Sequence, residues 1–516
     1  MTTNLLKKII ITILVACGYL YGAFGLSKTE AAELLRVALV QGQTTAEISC
    51  TSDFEVQNGW EKSLLPKGKY FLHVVEGRLV MEQAAEKAML PPPVSQVIVD
   101  SKLQAKEAKK AKKNKQAKKD SNNKVIVSNK PVTSVQEKQQ KAELLASMAQ
   151  QQDLKQVEST APKQFSFGST IYLNALEGGA LPKINQKAYK GYLRVLADNG
   201  KLLVVNYVEL EQYLSSVLPA KTMVVWPDEG IKAQAVAARS YALYMRRQNA
   251  NKHYDLLAVD EELPYEGTGP RIEKAGVTKL IKATQGQYLV DASGLPIEAV
   301  TTSSSGGRTE DAVGAWGREV PYLQSVEDFD NDSPEFSWQH VATPALLEGQ
   351  LAQRGYVVGK LNSVRLSPLD DMGDDRTATG RVRYVILTGT AGTIKISGEE
   401  LAEIVGLPST LFDVEAGTPP PETLKIPIED RYGFEVGSKD IDIKVKEDEH
   451  PVWNKLLRSY HMLSGGKNEK LIFHGRGRGM GLGLSAWGAR GMVNANEKIT
   501  CRQILEHYYP GTSLVG

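Results

Sequence analysis

The sequence predicts an α+β fold: a mixed, strand-rich core with a central alanine-rich helix and a C-terminal helical segment, interrupted by an inserted disordered linker. Three observations lead there. Short runs that alternate apolar and polar residues recur along the chain, as in LLRVALVQGQTTAEISCTSDFEV and VRYVILTGTAGTIKISG. Such alternation puts every second side chain on one face of a strand. One segment, DEGIKAQAVAARSYALYMRR, instead has helical composition with alanine at Ala233, Ala235, Ala237 and Ala238. Strands and helices also fail to alternate as parallel β-α units require, which argues against a doubly wound sheet.

The chain has 516 residues, enough for two or three domains with sizeable cores. Its 42% hydrophobic and 24% charged residues are those of an ordinary globular protein, and a net charge of +2 singles out no partner. Lys7 and Lys8 precede an apolar run from Ile9 to Leu26. Residues 1–26 therefore read as a signal peptide or membrane anchor, and Leu14-Val15-Ala16-Cys17 adds a lipoprotein-type cleavage box. Either mode makes the chain exported, in the cell envelope: held at the membrane through this segment as an anchor, or secreted once a signal peptide is removed. Of the three cysteines, Cys50 and Cys501 lie outside that run without C-x-x-C spacing. They read either as one disulfide or as two buried thiols, and no metal site or cofactor is expected.

Residues 27–100 form an N-terminal strand-rich part. From 101 to 163 a lysine run, SKLQAKEAKKAKKNKQAKKD, passes into a glutamine-rich stretch. So few apolar residues cannot offset the entropy of ordering, which predicts disorder. Outside a membrane, anionic wall polymers or lipid headgroups suit such a run better than nucleic acid, which is not expected; a soluble spacer is the plainest reading. Residues 164–429 hold further strands, the alanine helix opened by Trp226-Pro227-Asp228, and the serine-glycine turn SSSGG at 303–307. Pro227 suits the first helical turn, and Asp228 and Glu229 complement the positive helix end. The stretch 430–470 is charged and reads as an insertion. In 471–516 a glycine-dense turn runs into a helix, and Thr500 with Gln503 forms a capping box for the last one. GRGRGMG follows no clear strand within a β-α-β unit, so it does not predict a dinucleotide site.

Four segments in order, GIKAQAVAARSYAL (230–243), SSSGGRTEDAVGAWGREVPYLQSVED (303–328), GRGRGMGLGLSAWGARGM (475–492) and ILEHYYPGTSL (504–514), resemble the SpoIID/LytB family of bacterial cell-wall proteins. The resemblance covers 34–60, 165–415 and 471–516. It makes 27–100, 164–429 and 471–516 parts of one SpoIID-like domain, and implies an extracytoplasmic protein acting on peptidoglycan glycan strands. One branch of the family is known as lytic transglycosylases, the other as enhancers of wall amidases, which makes a wall amidase or other hydrolase a partner to expect. Transglycosylation needs a single carboxylic acid. It protonates the glycosidic oxygen, then as a base takes the proton from the sugar's own C6 hydroxyl.

The family places that acid in a Pro-x-Glu-Met-Pro phrase, and here the glutamate falls on Lys221. A lysine with an ordinary pKa near ~10.4 is a poor donor at neutral pH. Two family histidines fall on Thr302 and Met480, a tryptophan on Arg478, and the zinc-linked loop of some members on YDLLAVDEELPYEG, which has no cysteine. Together these departures imply impaired or lost catalysis. Glu229 is the nearest fallback acid, followed by Glu266 or Glu310. On the binding side the resemblance points to Lys232 and Arg239, seven residues apart on one helix face. By their chemistry, Ser305, Gly306, Gly307, Arg308 and Arg476 are candidates for holding hydroxyl or carboxylate groups, and Tyr241, Tyr265, Tyr322 and Trp487 for stacking on sugars. Each tyrosine reads at least as well as core.

Overall fold

The computed structural model describes residues 34–84, 163–176, 178–221, 226–259, 263–269, 272–416, 423–429, 435–442, 458–463, 465–466 and 469–516. The expected N-terminal signal or anchor and almost all of the lysine- and glutamine-rich stretch lie outside these residues. Their helices are α1 (Leu210–Lys221), α2 (Asp228–Gln248), α3 (Ala275–Ala283), α4 (Ala312–Trp316), α5 (Pro344–Gln353), α6 (Gly398–Val405), α7 (Ala486–Ala495) and α8 (Cys501–Tyr508). Strands in several sheets accompany them, so the fold is α+β.

Two sheets share the first core. A seven-stranded sheet runs Leu256–Leu257, Leu34–Gln43, Lys201–Glu209, Tyr192–Asp198, Thr170–Ala175, Phe54–Asn58, Glu61–Leu65 in spatial order. A six-stranded sheet contains Thr45–Cys50, Gly68–Val75 and Arg78–Gln83. Period-two alternation sends Leu35, Val37, Ile48, Leu72 and Met81 into the same cluster.

The alanine helix α2 is buried on two sides. Ala235, Ala238 and Ala242 face the sheet core, while Ala233, Val236 and Ala237 enter a second cluster with Leu484, Ala489, Ile504 and Tyr508. A Cβ at Gly230 would sit 3.5 Å from the Ala489 carbonyl oxygen. Small side chains are what let α7 and α8 approach this closely. A third cluster, from Ala342 to Phe473, has its own sheets and helices. Tyr460–Met462, inside the stretch expected to be an insertion, pairs with Leu361–Arg365 as an edge of its four-stranded sheet.

Candidate functional site

Helix α1 ends at Lys221. The side chain of Lys221 and residues 222–225 lie outside the described residues, which resume at Trp226. Trp226 is buried and meets Trp487 edge-on, with ring centroids 5.3 Å apart. Trp487 comes from the first turn of α7, and the Arg490 guanidinium lies 5.0 Å from its ring centre. The Trp487 N–H donates to the Ser303 carbonyl at 3.1 Å. The Trp226–Trp487 pair thus lies beside the serine-glycine turn, which the Trp487 backbone N–H meets at Ser303.

That turn is filled by the chain itself. Asp330, fully buried, accepts from the Ser304 hydroxyl, from Gly306 N–H at 2.8 Å and from Gly307 N–H at 2.9 Å. Gly306 and Gly307 have φ of 83° and 103°, a conformation that turns consecutive N–H groups toward one anion. The sequence reading gave these donors to a ligand's hydroxyl or carboxylate; the structure gives them to Asp330. Ser305 is likewise committed, its hydroxyl donating to Asp328, which also accepts from Tyr508 at 2.6 Å. Burial, then the adjacent Asp330 charge, pushes the Asp328 carboxyl up, against hydrogen bonds from Ser305, Tyr508 and Ser485.

The glycine-dense segment packs on the same turn. Gly477 has φ of 71°, and a Cβ there would lie 2.6 Å from the Ser304 carbonyl oxygen. Arg478 N–H donates to that oxygen at 2.8 Å, while the Thr302 hydroxyl donates to Arg478 O at 2.8 Å and accepts from Gly481 N–H at 3.3 Å. Thr302, which the sequence resemblance set against one family histidine, therefore bonds the backbone on both sides of Met480, which it set against the other. Met480 is 40% exposed and lines a recess of about 200 Å³ with Glu310, Thr377 and Arg381. Glu310, one of the fallback acids, is fully buried and accepts from the Thr377 and Thr379 hydroxyls and the Asp311 N–H. Arg381 donates to Ser305 O at 2.8 Å; burial lowers its pKa to about 10, against the charges of Glu310 and Asp330.

Other expected residues are separate from this cluster. Arg239 is 1% exposed, with Nε and Nη2 donating to the two Glu211 oxygens at 2.8 and 2.7 Å and Nη1 to Gln287 O at 2.9 Å. It brackets α1 to α2, with most of its donors taken by the chain itself. Tyr265 is buried, its hydroxyl on Asn206 at 2.7 Å, so it offers no face to a sugar ring. Tyr241 and Tyr322 are half-buried, each packed against a core cluster, and Arg308 and Arg476 are exposed. Cys50 and Cys501 are separate buried thiols.

Glu229 pairs with Lys232 at 2.6 Å and accepts the Cys501 N–H at 2.7 Å, anchoring the start of α8. Partial burial pushes its pKa up, but hydrogen bonds from Lys232 and Cys501 and the lysine charge outweigh this and leave it lowered. A general acid needs the opposite shift. Glu266, the remaining fallback, is an exposed partner of Lys187. The Glu229→Gln variant is expected to lose about 1 kcal/mol or less, because both members of the pair are near 30% exposed and water screens them. A lowered folded pKa means this contribution is present above the ordinary carboxylate pKa and fades as pH falls through the lower folded value. Urea denaturation of parent and variant at neutral and acidic pH should show the difference shrinking toward acid.

The residues that sequence reading missed are Asp328, Asp330 and Glu211. Asp328 ends the segment that carried the resemblance and Glu211 starts a helix, and nothing in their spacing singles them out. A faint signal was there: a serine-glycine turn rich in N–H donors needs an acceptor, and VEDFDND follows it closely.

Fold and site define a class, an α+β protein whose serine-glycine and glycine-dense turns clasp one another beside a two-sided alanine helix. The SpoIID family, described as Stage II sporulation protein, matches residues 198–290. The chain is 26% identical over 334 residues to an uncharacterized protein of Brachyspira hyodysenteriae, covering 64% of this chain and 73% of that one. It is 25% identical over 307 residues to the amidase enhancer of Bacillus subtilis, and 25% over 226 residues to stage II sporulation protein D of the same organism. Those two matches take in 58% and 40% of this chain, and span 40% and 61% of the respective relatives. The matches support placing this chain in the SpoIID/LytB family of cell-wall proteins.

Proposed function

We propose that this is an exported protein that binds peptidoglycan glycan strands and takes part in wall remodelling during sporulation or division, with its own cleavage chemistry impaired or lost. One observation carries the reading. Trp226 packs on Trp487, whose backbone N–H meets the serine-glycine turn, while the resemblance sets Lys221 at the acid position and Thr302 and Met480 at the histidine positions. Glu229 is a poor substitute acid because its carboxyl is held ionised by Lys232 and Cys501. The name of the Bacillus amidase enhancer suggests the partner, a wall amidase whose action this protein would assist.

The test is incubation of purified protein with intact and with peptide-stripped glycan strands. Retention of strands with no 1,6-anhydro-muramic acid ends is expected; those ends in the parent protein would overturn lost catalysis. Their appearance only in Lys221→Glu would identify Lys221 as the occupant of the acid's place. Wall retention lost on deleting residues 101–163 alone would favour instead a scaffold that holds anionic polymers.

A further inference from the structure

The first described residue of the sheet core, Leu34, pairs with Glu209 at the end of the strand that leads into α1. Glu209 lines a cleft of about 1000 Å³ together with Arg246 and Arg247 from the end of α2, and Lys282 and Gly286 from the end of α3. Arg36, two residues on from Leu34, ties the same corner down. Its guanidinium donates to Lys252 O at 2.6 Å and Asn249 O at 3.0 Å, and pairs with Asp255 at 2.5 Å. The start of the sheet core and the basic ends of α2 and α3 therefore share one face.

The charge on that face is unbalanced. Of the acids lining the cleft, Glu211 is committed to Arg239, leaving Glu209. Arg247, Lys252 and Lys282 are exposed, and none pairs with a carboxylate among the described residues. Basic last turns complement the negative helix ends, but Lys252 lies beyond α2 and gains nothing from its interior.

Residues 27–33 alone separate the apolar run ending at Leu26 from Leu34, a reach of about 25 Å at full extension. The geometry points to this face as a docking surface for anionic lipid headgroups: its unpaired basic charge suits them, and the apolar run lies only seven residues upstream of its first strand in the sequence. The inference rests on the proposed export reading, in its anchored form. A tether of that reach holds the face at high local concentration beside the surface, and the basic side chains engage the lipid charge once they come within a screening length of roughly 8–10 Å. The consequence is orientation, since the acid phrase at the far end of α1 would be carried away from the membrane, toward the wall.

The full chain would be mixed with vesicles of phosphatidylcholine alone, or with added phosphatidylglycerol, and floated at low and high salt. At least about ten-fold stronger partition into anionic vesicles is expected at low salt. The combined Arg247→Gln, Lys252→Gln, Lys282→Gln variant should lose that preference, with circular dichroism and neutral-vesicle binding unchanged. A preference kept by this variant but abolished by Lys109→Gln, Lys110→Gln, Lys112→Gln, Lys113→Gln would overturn the proposal in favour of the lysine run. No anionic preference in the parent would overturn it outright. Absent neutral-vesicle binding, with the anionic preference still lost in the first variant, would remove the anchor yet keep the surface.

Discussion

Replacing Asp330 with alanine is expected to cost on the order of 4 kcal/mol, a large share of the roughly 5–15 kcal/mol that keeps a folded protein folded. The carboxylate is fully buried and is the acceptor for one hydroxyl and two backbone N–H groups. Without it, Gly306 and Gly307 keep their donors in a site closed to water, at about 1–3 kcal/mol for each group left unmet. Asparagine should do little better, because its NH2 would face donors while its single carbonyl serves only some of them. Asp332 is the control: 65% exposed and paired with Arg490 at the surface, it should change stability by less than about 1 kcal/mol when replaced by alanine. Equilibrium urea unfolding of the three variants measures the contrast. Equal midpoints for Asp330→Ala and Asp332→Ala would contradict the clasp.

The second large effect is expected at Arg239. Arg239→Ala removes a buried guanidinium and its stem from between α1, α2 and the residues around Gln287. Breaking a fully buried ion pair costs about 3–5 kcal/mol. Here Glu211 keeps 24% exposure and can turn to water, so about 2–4 kcal/mol is the fitting range. Glu211→Gln should be at least as damaging, since it strands the buried cation instead of the partly exposed anion. Loss of glycan retention in Arg239→Ala should then scale with the unfolded fraction. A well-folded variant that has lost retention would restore the ligand contact that the sequence resemblance assigned to this arginine.

Much of this architecture was readable before any coordinates. Period-two runs predicted the strands of both sheets, and Thr500 with Gln503 predicted the capping box that opens α8. The alanine helix was readable as a helix, but not its two-sided burial, because that depends on α7 and α8 returning from the end of the chain. Arg239 shows the limit most clearly. Its spacing from Lys232 is a true statement about one helix face, yet spacing is silent on whether Glu211 from another helix has already claimed it. The clasp at Asp330 was missed for the same reason. A turn that can hold an anion looks identical in sequence whether the anion is a ligand or the chain's own carboxylate.

The reach of these contacts has a consequence for how the molecule comes to exist. Glu229 is completed by the backbone of Cys501, 272 positions later, and Asp328 by Tyr508, 180 positions later. Closing loops of that size precedes any reward from the contacts they bring together, which slows folding. A chain emerging from the ribosome or a translocation channel must hold α2 with half its surface bare until the last helices arrive. Proteases and chaperones meet the protein in that interval, so the timing of its final residues sets how much of it survives to act.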